Sequence, residues 1–166
     1  MEAAGAGGLA DPERLPHLID RLYRAAWGLC GSPHDAEDLV QETLARVLAR
    51  PRVLRRETAL PYLLRALRNT YLTGLRSASA RPRTVGMPEE AAELYCAPGA
   101  DPVALLEQRR LFELIAALPR PFREPLVAVD VAGLTYAEAA AALGVREGTI
   151  ATRVFRARHR VARAAG

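Results

Sequence analysis

The apolar positions of this chain fall into runs that step by three and four. Leu15, Leu18, Ile19, Leu22, Ala26 and Leu29 make the first run, which predicts an amphipathic helix ending at Gly31. Ser32 then supplies an N-cap, Pro33 fits the first helical position, and Asp35, Glu37 and Asp38 put acids where the helix dipole favours them. A second helix follows to about Arg50, with Leu39, Val40, Leu44, Val47 and Leu48 on its apolar side. Pro51 breaks it, and Arg52 to Glu57 reads as a basic loop. Thr58 caps a third helix through Arg76, with Leu60, Leu63, Leu64, Leu67, Tyr71 and Leu75 turned toward a core.

Ser77 to Pro98 is rich in Ser, Pro, Gly and Ala and has no periodicity, so it reads as a flexible linker. Periodicity resumes at Asp101-Pro102, a cap followed by a proline, with Leu105, Leu106, Phe112, Ile115 and Leu118 at helical spacing. A short apolar helix covers Pro121 to Ala132 and stops at Gly133, although Pro125 inside it removes a backbone donor and should kink or delay it. The expected fold is all-α, two small helical domains, the second containing a helix-turn-helix. The expected boundaries are a disordered N-terminus over residues 1–10, a helical domain over 11–76, a linker over 77–100 and a second domain over 101–166.

The last stretch carries the most specific local pattern. Thr135-Tyr-Ala-Glu138 is a capping box that starts a short helix. Leu143-Gly144-Val145 turns the chain, and a longer helix runs from Glu147 to Arg163. Ile150, Val154, Ala157 and Val161 form one apolar face of that helix. Thr149, Thr152 and Arg156 then suit base edges, and Arg153, Arg158, Arg160 and Arg163 suit phosphates. The same residues also describe a basic surface helix with no DNA role.

Charge sharpens this picture more than composition does. Half of the 166 residues are hydrophobic and only 5% are aromatic, which fits helices dominated by Ala and Leu. The net charge of +4 conceals an alternation: residues 1–44 net −5, residues 45–88 +9, residues 89–147 −5 and residues 148–166 +5. Basic blocks attract phosphate, whereas acidic blocks face solvent or a basic protein. Asp38, Gln41, Glu42 and Ala45 make a polar stripe on the second helix, read either as a docking face or as a solvated one. Nine Arg against one acid between Arg50 and Arg83 make a surface suited to a phosphate backbone. All 23 cations are Arg, a bias that a GC-rich genome would also impose.

These segments resemble a known family. Leu134-Thr-Tyr-Ala-Glu-Ala-Ala-Ala-Ala-Leu-Gly-Val145 with Gly148-Thr-Ile-Ala-Thr-Arg-Val-Phe-Arg-Ala-Arg158 resembles region 4 of extracytoplasmic-function (ECF) sigma factors. Asp35-Ala-Glu-Asp-Leu-Val-Gln-Glu-Thr43 resembles their region 2.2, and Tyr62 to Arg76 their regions 2.3 to 2.4. The resemblance implies that Asp38, Gln41 and Glu42 bind the β′ clamp helices of core RNA polymerase, with the β flap as a further polymerase contact. It assigns Arg52, Arg55, Arg56, Arg65, Arg68, Asn69 and Arg76 to the minus-10 element. Thr149, Thr152, Arg153, Phe155, Arg156 and Arg160 fall to the minus-35 element, and an anti-sigma factor is implied as a regulator. Asn69 either reads a base edge or hydrogen-bonds within the fold, and Tyr62, where the family often has Trp, packs in the core. Departures are Ala151 in place of a common Lys or Arg, and Thr73-Gly74, which should loosen the end of the third helix.

Other function classes find little support. His17, His34 and His159 are scattered, no Ser or Cys sits in a nucleophile motif, and no glycine loop has phosphate-binding spacing, so no enzyme and no cofactor is expected. Cys30 and Cys96 are far apart and form no metal or disulfide pattern, although Cys96 in the linker is either a spectator or a site of oxidation. No apolar run reaches membrane-spanning length, so a cytoplasmic protein without membrane insertion is expected. The rival reading is a helix-turn-helix regulator that binds duplex DNA without polymerase. A helical decoy that binds polymerase with a weakened DNA surface is a third.

Overall fold

The computed structural model describes residues 15–49, 58–79 and 101–166. Among them are seven α-helices and no strand: α1 Leu15–Cys30, α2 Pro33–Leu48, α3 Ala59–Ser79, α4 Pro102–Ala116, α5 Arg120–Leu126, α6 Tyr136–Leu143 and α7 Glu147–Ala165. The expected all-α class with two helical halves is present. Local chemistry starts and stops the helices where the sequence indicates. Ser32 Oγ accepts from the Asp35 amide at 3.4 Å, and Asp101 Oδ1 from the Val103 amide at 3.0 Å. The α1–α2 corner needs a left-handed residue, which Gly31 provides at φ +79.

Pro125 acts through the backbone, as expected. It lies inside α5, where it cannot donate to the carbonyl four residues back, and the ladder changes directly after it. Val127–Val131 forms a π-helical turn, closed by the Ala132 amide donating to Val127 O at 2.8 Å. α3, expected to run through Arg76 with its end loosened by Thr73 and Gly74, continues to Ser79, with Thr73 Oγ1 donating to Asn69 O at 2.9 Å.

Two apolar residues expected in the core are not there. Leu48 at the end of α2 is 66% exposed and Leu75 on α3 is 44% exposed. Thr43 takes interior space instead, because its hydroxyl satisfies itself on Leu39 O at 2.7 Å.

The halves are packed on one continuous core with α1 at its centre. Trp27 of α1 stacks on Phe112 of α4, with ring centroids 4.4 Å apart and planes 9° from parallel. Gly28 lets α1 come against the π turn, since a Cβ there would sit 2.8 Å from Val127 Cγ2. Arg21 donates from Nε to Ala132 O at 2.8 Å and from Nη2 to Gly133 O at 3.1 Å. Arg68 of α3 pairs with the buried Glu124 of α5 at 2.8 Å, and the Arg123 guanidinium lies 5.6 Å from the Tyr71 ring centroid. Burying an aromatic or large aliphatic side chain contributes about 1.5–3 kcal/mol, whereas a buried ion pair roughly breaks even against its desolvation. The apolar contacts therefore hold this seam, and the polar ones set its register.

Candidate nucleic-acid interface

The turn between α6 and α7 is fixed at both ends. Thr135 caps α6 by accepting from the Glu138 amide at 3.2 Å, while Glu138 Oε2 accepts from the Thr135 amide at 2.8 Å. Gly144 closes α6 in the left-handed region at φ +68, a conformation that a β-carbon would strain. α7 then buries Ile150, Val154 and Ala157 completely, with Val161 packed at the edge of the same core. This is the apolar face expected from the periodicity.

The opposite face of α7 carries the residues assigned to minus-35 DNA. Thr152, Phe155, Arg156 and Arg160 are exposed, and Thr149 and Arg153 are half-buried. The Thr152 hydroxyl donates to Gly148 O at 3.0 Å, so its oxygen presents an acceptor and no donor. Such a group suits the amino group of adenine or cytosine. Phe155, 62% exposed, offers an apolar surface beside these polar ones, with its ring edge-on to His159 at 4.5 Å.

Two arginines that the charge pattern offers to phosphate are engaged within the protein. Arg158 donates to both carboxylate oxygens of Asp130, at 2.8 and 2.7 Å, and these hydrogen bonds raise its already high pKa. Arg160 lies over the Phe122 ring at 4.4 Å. Both contacts tie α7 to the α5 region, and Arg158 is thereby diverted from phosphate. Sequence spacing gives no sign of either pairing.

On α3, Arg65, Asn69 and Arg76 share one exposed face, at spacings of four and seven. Arg68 lies on the neighbouring face and turns into the seam with Glu124. Tyr62 is partly buried against the core, as expected. Arg52, Arg55 and Arg56 lie outside the described residues, as does Cys96.

On α2, Asp38, Gln41, Glu42 and Ala45 are all exposed, and Leu48 continues the same stripe at the next helical step. Glu42 accepts from Arg46 at 2.6 Å, and His34 lies 3.7 Å from Asp38. Intrahelical pairs of this kind are worth only about 0.3–0.5 kcal/mol, so a basic partner can displace them. The stripe is acidic and ends in an exposed leucine, so it is amphipathic. The leucine was hidden from sequence reasoning because it also fits the core periodicity. Among the described residues no group of three His, Cys, Asp or Glu side chains is arranged to hold a metal ion.

Comparison with known proteins converges on one family. The sigma-70 region 2 profile matches residues 17–81, and the sigma-70 region 4 profile matches residues 108–161. The chain is 37% identical over 153 residues to the ECF RNA polymerase sigma factor SigE of Mycolicibacterium smegmatis, covering 90% of this chain and 59% of that protein. It therefore spans less than two thirds of that relative. It is 36% identical to the ECF RNA polymerase sigma factor EcfG of Rhodopseudomonas palustris, covering 86% of this chain and 78% of that one. With the ECF RNA polymerase sigma factor SigC of Mycobacterium tuberculosis it shares 37% identity, covering 95% and 84%. Its fold resembles that of the sigma factor RpoE in complex with the anti-sigma factor NepR from Bartonella quintana, with a TM-score of 0.65, 24% identity and coverage of 90% and 92%. CnrH in complex with the cytosolic domain of CnrY gives a TM-score of 0.63 at 21% identity, covering 92% and 84%. The region 2 and region 4 matches, in that order, with relatives above 30% identity aligned over most of their length, show that this chain belongs to the ECF sigma factors of the sigma-70 family.

Proposed function

We propose that this protein is a promoter-recognition subunit: it binds core RNA polymerase and directs initiation at promoters with minus-10 and minus-35 elements. The observation that carries this reading is the division of α7 into a fully buried apolar face and an exposed face of Thr152, Phe155 and Arg156, behind a capped helix and a left-handed glycine turn. Thr149, Thr152, Arg153, Phe155, Arg156 and Arg160 contact the minus-35 duplex, with Thr152 accepting a hydrogen bond and Phe155 meeting an apolar base edge. Arg52, Arg55, Arg56, Arg65, Arg68, Asn69 and Arg76 engage the minus-10 element, where a basic surface follows the phosphates and polar edges read an unstacked base. Asp38, Gln41 and Glu42, together with Leu48, dock on the β′ clamp helices, while the second half meets the β flap. Polymerase supplies the chemistry and this subunit supplies the address.

Residues 11–76 and 101–166 act as two modules, and residues 77–100 join them so that each raises the effective concentration of the other on the promoter. Polymerase and promoter place the work in the cytoplasm, and among the described residues no helix is long and apolar enough to cross a membrane. An anti-sigma factor is the expected regulator, since the similar folds of RpoE and CnrH were solved with such a partner or with a partner's cytosolic domain.

In-vitro transcription with core polymerase tests the reading: the protein is expected to direct initiation at discrete sites in a genomic promoter library. A helix-turn-helix regulator needs no docking stripe, so Asp38→Arg with Glu42→Arg separates the two readings. The change abolishes core binding in a sigma factor. In a regulator it leaves tight, sequence-specific duplex binding by the free protein intact.

A further inference from the structure

We infer that the cavity lined by α1, the start of α2 and the first half of α4 binds a small organic acid with an apolar body. It lies apart from the α2 stripe, the α3 face and the exposed face of α7, none of whose residues line it. The cavity measures about 350 Å³, at the small end of the range of about 300–1,000 Å³ usual for ligand sites. Tyr23 and Trp27 of α1 and Leu105 and Leu106 of α4 supply apolar walls, and Pro33 and Pro102 add two rigid rings. Both prolines stand at the start of their helices, so α2 and α4 each begin at the cavity, with the positive end of their dipoles there.

The polar part of the lining asks for an anion. Arg24 and Arg109 stand against one acid, Asp20, which Arg24 Nη2 already meets at 2.5 Å. One positive charge is therefore left over, and it matches a single carboxylate. Trp27 is only 8% exposed, yet its indole Nε1 is buried without a hydrogen-bond partner, and so is Arg24 Nε. Indole and guanidinium nitrogens donate and never accept, so what both groups lack is an acceptor. A buried donor left unmet costs free energy that an incoming acceptor recovers.

A carboxylate supplies two acceptor oxygens in the geometry of a guanidinium fork, and Arg109 is its anchor. The apolar walls then take the body of the acid, which a bare inorganic anion does not have. A cation is repelled by the leftover positive charge and by both helix starts.

The chain has one tryptophan, and it lines the cavity, so indole emission reads the site directly. The full chain is titrated at neutral pH with 4-phenylbutyrate and, separately, with 4-phenylbutanamide, which has the same shape and no charge. The acid is expected to change the emission and raise the melting temperature, and to bind roughly tenfold more tightly than the amide, as charge-assisted hydrogen bonds require. Arg109→Gln is expected to lose that advantage, whereas Arg110→Gln, at an exposed arginine outside the cavity, binds as wild type does. The comparison of acid with amide needs no variant, so it decides the matter even where Arg109→Gln does not fold. Unchanged emission up to the solubility limit, equal affinity for acid and amide, or a folded Arg109→Gln that binds the acid like wild type overturns the site. Emission that responds to an acidic amphipathic peptide but not to 4-phenylbutyrate makes the cavity a protein groove and overturns it too. None of these readouts uses polymerase or DNA, so their failure leaves the sigma factor reading standing.

Discussion

Arg156 and Thr152 stand one helical turn apart on the exposed face of α7, and each is replaceable without disturbing the buried Ile150, Val154 and Ala157. Arg156→Ala is expected to cost about 1–3 kcal/mol of discrimination at one base pair, as for a lost bidentate contact. Measured as initiation from a minus-35 library, it should relax preference at a single position. Arg158→Ala should behave differently: its guanidinium is already held by both oxygens of Asp130, so the loss appears in thermal stability before it appears in promoter choice. Cys30 gives a prediction of another kind. Burial, reinforced by Asp35, pushes its thiol up from 9.0 to about 12. At pH 8 its thiolate fraction is then about a thousandfold below that of an ordinary thiol, and iodoacetamide labelling followed by peptide mass spectrometry should find it nearly inert. The sign for stability follows from the same shift. The folded state holds the proton more tightly than the unfolded one, so the contribution is complete below pH 9 and lost as pH rises toward 12.

At the scale of the element, the capping box of α6 is the part most open to a quantitative check. Thr135→Ala removes the acceptor for the Glu138 amide and is expected to destabilise the fold by about 1 kcal/mol, read by denaturant unfolding. Helix starts, the left-handed glycines and the buried face of α7 were all legible in the sequence, because each depends on residues within a few positions of one another. The π turn after Pro125 was half legible: the missing donor announced a disturbance, but not the form it took. Leu48 and Leu75 show where periodicity fails. Their spacing matches an apolar face, yet what covers a face is decided by other elements, and none of the described residues covers these two. The partners of Arg68, Arg158 and Arg160 were hidden for the same reason, since Glu124, Asp130 and Phe122 lie tens of residues away. Gly28 was the one available signal of the seam. A glycine inside a helix costs roughly 1 kcal/mol, so its presence in α1 points to a close approach.

Across the whole molecule, that seam holds the two halves on one core. Gly28→Ala puts a methyl against Val127, and it should lower the melting temperature of the free chain while sparing each half's own core. The proposed function is to direct polymerase to promoters. The most direct measurement is in-vitro transcription from a genomic promoter library, with core polymerase and either the wild-type chain or the variant with Asp38→Arg and Glu42→Arg. Discrete start sites are expected with the wild type, and their loss with the variant, which retains its helical folding. Absence of site-specific initiation with the wild type, or initiation unchanged by the two charge reversals, would contradict it.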